Sequence, residues 1–248
     1  MINYKINPNY QKLFKDFILN IQEYFKQNNN SIHKARNEIK ILNHSNQEVV
    51  VKSFKVPHLL NRVVYGFFRE SKAKKSYDYS VKISDFVPQA IGYIEFKKMG
   101  LLEKSYFISE HFNYDFTIRE PLLDANFPQK KEILQAFAKF TFELHENEIL
   151  HQDYSPGNIL IKKENNGFIF KIVDINRMNF RVLDLDTRLK NFAKLWINDN
   201  DLKIVAKAYA KLIDKDEKLC INKALHYSQK HKNKINMKKR LKGIPVVD

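Results

Sequence analysis

The sequence predicts an α+β chain of two lobes: a small N-lobe over residues 1–111, rich in antiparallel strands, and a mainly helical C-lobe over 112–248. Three observations predict it. Short β-branched and aromatic runs fill the first half and are separated by turn residues. Apolar residues at helical spacing dominate the second half. Between them lies His151-Gln152-Asp153-Tyr154-Ser155-Pro156-Gly157-Asn158, a polar loop followed at once by the apolar run Ile159-Leu160-Ile161.

The elements follow in order. Leu13, Phe14, Phe17, Ile18, Ile21 and Phe25 give a helix over Pro8 to Phe25, ended by Gln27-Asn28-Asn29-Asn30. Ile32–Leu42 and Val49–Phe54, with a turn at Asn43–Gln47, read as an antiparallel pair. Arg69–Ser84 reads as a helix with Ala73, Tyr77 and Val81 on one face. Two strands are expected at Gln89–Lys97 and Lys104–Glu110 around Met99-Gly100, and Glu110–Tyr114 then joins the lobes. Ile133, Phe137, Phe140 and Leu144 form the buried stripe of a helix over Lys130–Asn147. Helices are expected again over Asp186–Trp196, Asp199–Ile213 (capped by Asp199 or Asn200) and Lys215 to about His231.

Composition sets bounds. A hydrophobic content of 44% in 248 residues supports a packed core rather than disorder. The single cysteine, Cys220, excludes an intrachain disulfide and suits a reducing compartment. Met1–Tyr10 has no apolar signal region, and no stretch approaches the ~18 apolar residues of a membrane span. The expected location is cytoplasmic, soluble or peripheral to the inner membrane. The formal charge of +15 favours an anionic partner. It is clustered: seven basic residues and one acid lie between Lys52 and Lys75, and seven basic residues and no acid between Tyr227 and Lys242.

The chemistry sits in the polar loop. Asp153, Asn158 five residues later, a hairpin turning at Asn166-Gly167, and a second strand, Phe168–Val173, closing on Asp174 make a phosphoryl-transfer layout. The first Asp orients or accepts the proton of the attacking hydroxyl, and the Asn and second Asp are hard oxygen ligands for Mg2+. A surface turn with Asp153 and Asn158 capping local backbone is the bland alternative. The preceding helix and a matching upstream lysine argue against it.

The chain resembles the bacterial lipopolysaccharide kinase family (Kdo kinase and heptose kinase type) of the protein-kinase-like superfamily. The resemblance is carried by Val49–Lys55, Arg69–Lys74, Leu144-His145, His151–Ile161 and Asp174–Arg177, and spans about residues 31 to 210. It implies ATP and Mg2+ as cofactors and a sugar hydroxyl of the lipopolysaccharide inner core as acceptor. Asp153 is then the catalytic base, Asn158 and Asp174 the metal ligands, and Glu110 part of the nucleotide site. Lys52 matches the phosphate-binding lysine, with Lys55 as competitor on the opposite strand face. Its acidic partner is Asp78, or Glu70 earlier on the same helix. His151 is expected to brace the loop rather than react.

Departures are equally informative. His33-Lys34-Ala35-Arg36-Asn37-Glu38 stands where a Gly-rich phosphate loop is expected, so Lys34 or Arg36 would contact phosphates instead. Gln152 replaces the Arg that docks a phosphorylated activation loop, and Ile175-Asn176 stands where Phe-Gly is common. These changes favour a constitutive glycolipid or small-molecule kinase. A protein kinase of the same fold and a pseudokinase binding anionic lipid are the alternatives. The partner is expected to be an anionic glycolipid or small-molecule acceptor, with no nucleic acid bound; the basic segment Tyr227–Lys242 either touches the inner-membrane surface or is a solvated, partly frayed C-terminal helix.

Overall fold

The structure is a computed structural model that describes residues 1–28, 31–34, 37–55 and 70–246, with backbone alone at 32–34. The chain divides into two compact units, residues 1–113 and 114–248. The expected phosphate-contacting side chains of Lys34 and Arg36 lie outside the described residues, as do positions 56–69 of the first basic cluster.

The first unit is built on a six-stranded antiparallel sheet. Its strands are β1 (Ile2–Ile6), β2 (Ser31–Lys34), β3 (Asn37–His44), β4 (Gln47–Phe54), β5 (Ala90–Lys98) and β6 (Leu101–Glu110), in the spatial order β1-β5-β6-β4-β3-β2. Two hairpins close through two-residue turns with left-handed residues, Ser45-Asn46 (φ 51 and 62) and Met99-Gly100 (φ 49 and 78). Such turns match the twist of the flanking strands. Strand β1 is absent from the sequence expectations: Ile2–Ile6 forms an edge strand paired with β5 from Ile2↔Phe96 to Ile6↔Gly92.

Alternation along the strands gives the sheet two apolar faces. Val49, Val51, Ile94 and Ile108 point to one face, covered by α1 (Gln11–Leu19) and α2 (Ile21–Gln27) through Phe14, Phe17, Ile18, Ile21 and Phe25. The helix expected over Pro8–Phe25 is therefore two helices, broken at Asn20, whose backbone (φ −101, ψ 17) leaves the helical region. The last carbonyls of α2 are capped by a buried lysine: Lys40 Nζ donates to Phe25 O at 2.7 Å and to Asn28 O, and lies 4.4 Å from the Phe25 ring centre. A buried ammonium is tolerated only with such partners. On the opposite face Phe54, Tyr93 and Ala90 pack against Ala73 and Tyr77 of α3 (Lys72–Lys82). Ser71 caps α3 by accepting from Lys74 N–H. Its buried side is Ala73, Ser76, Tyr77 and Ser80, while Val81 faces solvent.

The second unit centres on α5 (Lys130–Glu146), preceded by β7 (Phe116–Thr117) and α4 (Arg119–Leu123). One side of α5 packs on the hairpin of β9 (Ile159–Glu164) and β10 (Gly167–Ile172), where Phe140 stacks on Phe170 with ring centres 5.3 Å apart. The hairpin turns through Asn165-Asn166, one residue earlier than expected. Gly167 follows at φ +151 and pairs with Glu164. The other side of α5 meets α7 (Asp199–Leu212), capped by Asn198 rather than Asp199 or Asn200. α6 (Leu185–Asn191) and a 3-10 turn over Phe192–Leu195 lead to it, and α8 (Glu217–Arg240) follows, running well past His231. Cys220, Ala224 and Ser228 are the small side chains that let α8 pack closely. No helix among the described residues is long and apolar enough to cross a membrane.

Candidate active site

Two short strands, β8 (Ile149–His151) and β11 (Met178–Phe180), pair antiparallel and hold the ends of the segment that contains Asp153, Asn158 and Asp174. Within it the loop closes on itself. Ser155 N–H donates to Asp153 O (2.7 Å), Asn158 N–H to Ser155 O (2.9 Å), and Asn158 Nδ2 reaches back to Asp153 O (2.9 Å). Pro156 opens the single 3-10 turn, where a fixed φ helps and no N–H is needed. Val173 N–H donates to Asn158 O at 2.9 Å, joining the residue before Asp174 to the loop.

His151 makes the second connection. Asp153 N–H donates to its Nδ1 (3.0 Å), so Nδ1 must be unprotonated. Nε2 therefore carries the proton and donates to Val173 O (3.0 Å). Burial lowers the His151 pKa and keeps the ring neutral, as this double role requires. The imidazole thus locks Asp153 to the strand end before Asp174, the bracing role expected of it.

Asn191 Nδ2 donates to His151 O (3.0 Å), and its Oδ1 lies 3.2 Å from Nε2 of His145, whose Nδ1 meets the Tyr209 hydroxyl at 2.8 Å. This buried set is not evident from the sequence. Asn191 reads as an ordinary polar residue near a helix end, and only the i, i+4 spacing of Leu189 with Ala193 hints that the segment faces inward.

The amide of Asn158 is oriented by its bond to Asp153 O, which leaves its Oδ1 carbonyl as the ligand-capable atom. Asp174 sits at φ 58, a left-handed conformation uncommon for any residue but glycine. Its Oδ1 accepts from Asn176 Nδ2 at 2.6 Å. One amide oxygen and one carboxylate are hard ligands of the kind Mg2+ takes, with substrate phosphates and water completing the shell. The donor set fits that ion, whereas no cluster of three His, Cys, Asp or Glu side chains is arranged for a metal among the described residues. Arg177 Nη1 lies 3.7 Å from Asp153 Oδ2 with both groups well exposed, and Gln152 N–H donates to Arg177 O.

In the first unit, Lys52 is half-buried on the β4 face shared with Phe54 and lies across from Ile39 and Phe107 in the neighbouring strands. Its Nζ is 5.4 Å from the Phe54 ring centre. This is the sheet face on which α3 packs, and Lys55 follows the strand as an exposed residue. Asp78 and Glu70 are both bonded to Lys74, Asp78 at 2.9 Å. Those two bonds hold the Lys74 ammonium firmly charged. Glu110 ends β6, and its carboxylate accepts from Tyr10 Oη (2.6 Å) and Gln47 Nε2 (2.9 Å), while its N–H donates to Gln89 O.

The solved structure titled "WaaP in complex with acyl carrier protein" is similar with a TM-score of 0.64 over 95% of this chain and 98% of that one. At 12% identity the likeness is one of fold, a kinase-like α+β architecture. No curated protein sequence matches. The model of the lipopolysaccharide kinase (Kdo/WaaP) family matches residues 58–215. With more than half of its length matched, including Asp153, Asn158 and Asp174, the chain belongs to the lipopolysaccharide kinase (Kdo/WaaP) family.

Proposed function

We propose that the protein transfers the γ-phosphoryl group of ATP to a sugar hydroxyl of the lipopolysaccharide inner core. The observation that carries this reading is the hydrogen-bonded loop in which Asn158 and His151 tie Asp153 to the strand ending at Asp174. Asp153 orients the acceptor hydroxyl and takes its proton as oxygen attacks the γ-phosphorus. The bond to the bridging oxygen breaks and ADP leaves. Asn158 and Asp174 would hold Mg2+, which neutralises charge on the phosphates when bound. Lys52 would bind phosphate oxygens, with Asp78 holding it in place, and Glu110 would border the nucleotide.

The test is radiolabelled transfer from Mg-ATP into a glycolipid fraction carrying inner-core sugars. Wild-type protein should label the lipid, Asp153→Asn should lose about 10²–10⁴-fold in rate, and Asp174→Ala should abolish labelling with the fold intact. Full activity of either variant would overturn the assignment.

We propose also that the end of α8 and the residues after it touch an anionic membrane surface. From Lys218 to Val246 the sequence has no acidic residue. Near its end Met237, Leu241 and Ile244 are exposed among Lys234, Lys238, Arg240 and Lys242. Cations close to an anionic surface contribute about 1 kcal/mol each, and exposed apolar side chains among them can enter the headgroup layer.

A further inference from the structure

Gly157 lies between Pro156 and the metal-ligand candidate Asn158, and its backbone is not left-handed, so turn geometry does not explain the glycine. A neighbour does. A Cβ at Gly157 would lie 2.6 Å from Nη2, 3.3 Å from Cζ and 3.8 Å from Nε of Arg119. The guanidinium is laid across the loop at the one residue with no side chain to hold it off.

Arg119 is exposed, yet its backbone is fixed. It follows β7, which pairs with β9 at Thr117↔Leu160, and Ile118 N–H donates to Ile159 O at 3.0 Å. The adjacent Glu120 is committed elsewhere: its Oε2 accepts from Thr117 N–H (3.0 Å) and Thr117 Oγ1 (2.6 Å). The exposed Arg177 stands near Asp153 of the same loop. Two exposed guanidinium groups therefore border a loop whose one carboxylate is the proposed base. An acceptor bearing negative charge would be repelled by Asp153 alone. Arg177 offsets that charge, and Arg119 presents the planar fork that suits a carboxylate or phosphate.

We propose that Arg119, seated on Gly157, is an acceptor-binding residue that grips an oxyanion of the sugar substrate and selects an anionic acceptor. This rests on the kinase reading above and adds the group that recognises the acceptor. The oxyanion is a sugar carboxylate or a phosphate on the glycolipid, and the experiment separates the two sources.

The full chain, Arg119→Gln, Arg119→Lys and Gly157→Ala are compared on three acceptors: the inner-core glycolipid fraction intact, with its carboxylates methyl-esterified, and with its phosphates removed. Arg119→Gln is expected to raise the acceptor KM about tenfold or more, the loss of a charge-assisted contact, with the ATP KM unchanged. Arg119→Lys should recover part of that loss. Gly157→Ala, which displaces the guanidinium, should shift the acceptor KM in the same direction. The wild-type advantage should vanish on whichever acceptor lacks the gripped anion. An unchanged acceptor KM in Arg119→Gln, an equal rise in the ATP KM, or equal use of all three acceptors by wild-type protein would overturn the proposal. If wild-type protein transfers no phosphate, the kinase reading fails first. Equilibrium binding of the intact glycolipid then decides, since equal affinity of wild type and Arg119→Gln removes the anchor as well.

Discussion

The segment around Asp153 and the acidic side of α3 are held by different means. Around Asp153 the constraints are partly or wholly buried: a buried neutral histidine with both ring nitrogens used, an asparagine amide aimed at a carbonyl, and the buried Asn191 bonded to the histidine carbonyl. Asp78 on α3 and Glu70 just before it, the acids proposed to serve Lys52, are held by Lys74 through pairs at i, i+4, with side chains about a third to a half exposed. Buried hydrogen bonds that cannot be replaced by water are costly to break, about 1–3 kcal/mol for each group left unsatisfied. Exposed helix pairs contribute about 0.3–0.5 kcal/mol. The residues proposed to handle the proton and the metal are thus set in place by folding, whereas the proposed partner of Lys52 can be exchanged between ion pairs at little cost.

The largest effects belong to the buried end. Replacing His151 by Ala removes both imidazole bonds, one to Asp153 and one to Val173, and leaves only the connection through Asn158. It should lower unfolding free energy by about 2–5 kcal/mol in urea titrations and depress kcat even where the protein stays folded. Asn191→Ala should follow at about 1–3 kcal/mol, with a smaller effect on kcat because the loop keeps its own bonds. If His151→Ala were active and stable, the difference between the two regions would disappear.

Acid sharpens the same contrast. Burial holds the His145 pKa at about 4, down from 6.5, and lowers that of His151. Each stays neutral in the fold while the unfolded chain takes up a proton. Stability should therefore be complete above about pH 6.5 and fall as pH drops towards 4, by up to about 1.4 kcal/mol per pH unit for His145. Below 4 the folded form binds the proton too, and that contribution levels off. Urea titrations across this range should show a shallower slope for His145→Gln.

The smallest effects belong to the exposed end. Lys74→Ala should cost under about 1 kcal/mol of stability. Its release of Asp78 and Glu70 should show instead as a change in the ATP KM. Asp78→Asn against Glu70→Gln then tells which acid serves Lys52, and equal KM values in both would exclude that role for either.

Much of this was legible in the sequence. The strands near Val49–Phe54, Gln89–Lys97 and Lys104–Glu110 and the helix over Lys130–Asn147 each carry a strong period, and burial follows it. The spacing of Asp153, Asn158 and Asp174 was readable because the loop's chemistry is local. What escaped depends on distant partners. Ile2–Ile6 alternates weakly and becomes a strand only because β5 offers an edge. Asn20 breaks a continuous apolar period by bonding back to Asp16, a choice that leaves no mark on the pattern. His145, Asn191 and Tyr209 meet across 64 residues, and nothing in their local sequence says that they share a buried network.

The strand order of the first unit also bears on how the protein is made. Ile2 finds its partner only when Phe96 exists, and the apolar face of α1 and α2 closes on Ile91 and Ile94 of the same late region. At ribosomal rates of about 5–20 residues per second, those ninety-odd residues correspond to roughly 5–20 s. During that interval Phe14, Phe17, Ile18, Ile21 and Phe25 have no completed sheet to cover them. The first strand must wait for the fifth, and the sheet is joined only when β6 links β5 to β4, so the apolar face of α1 and α2 stays uncovered until then.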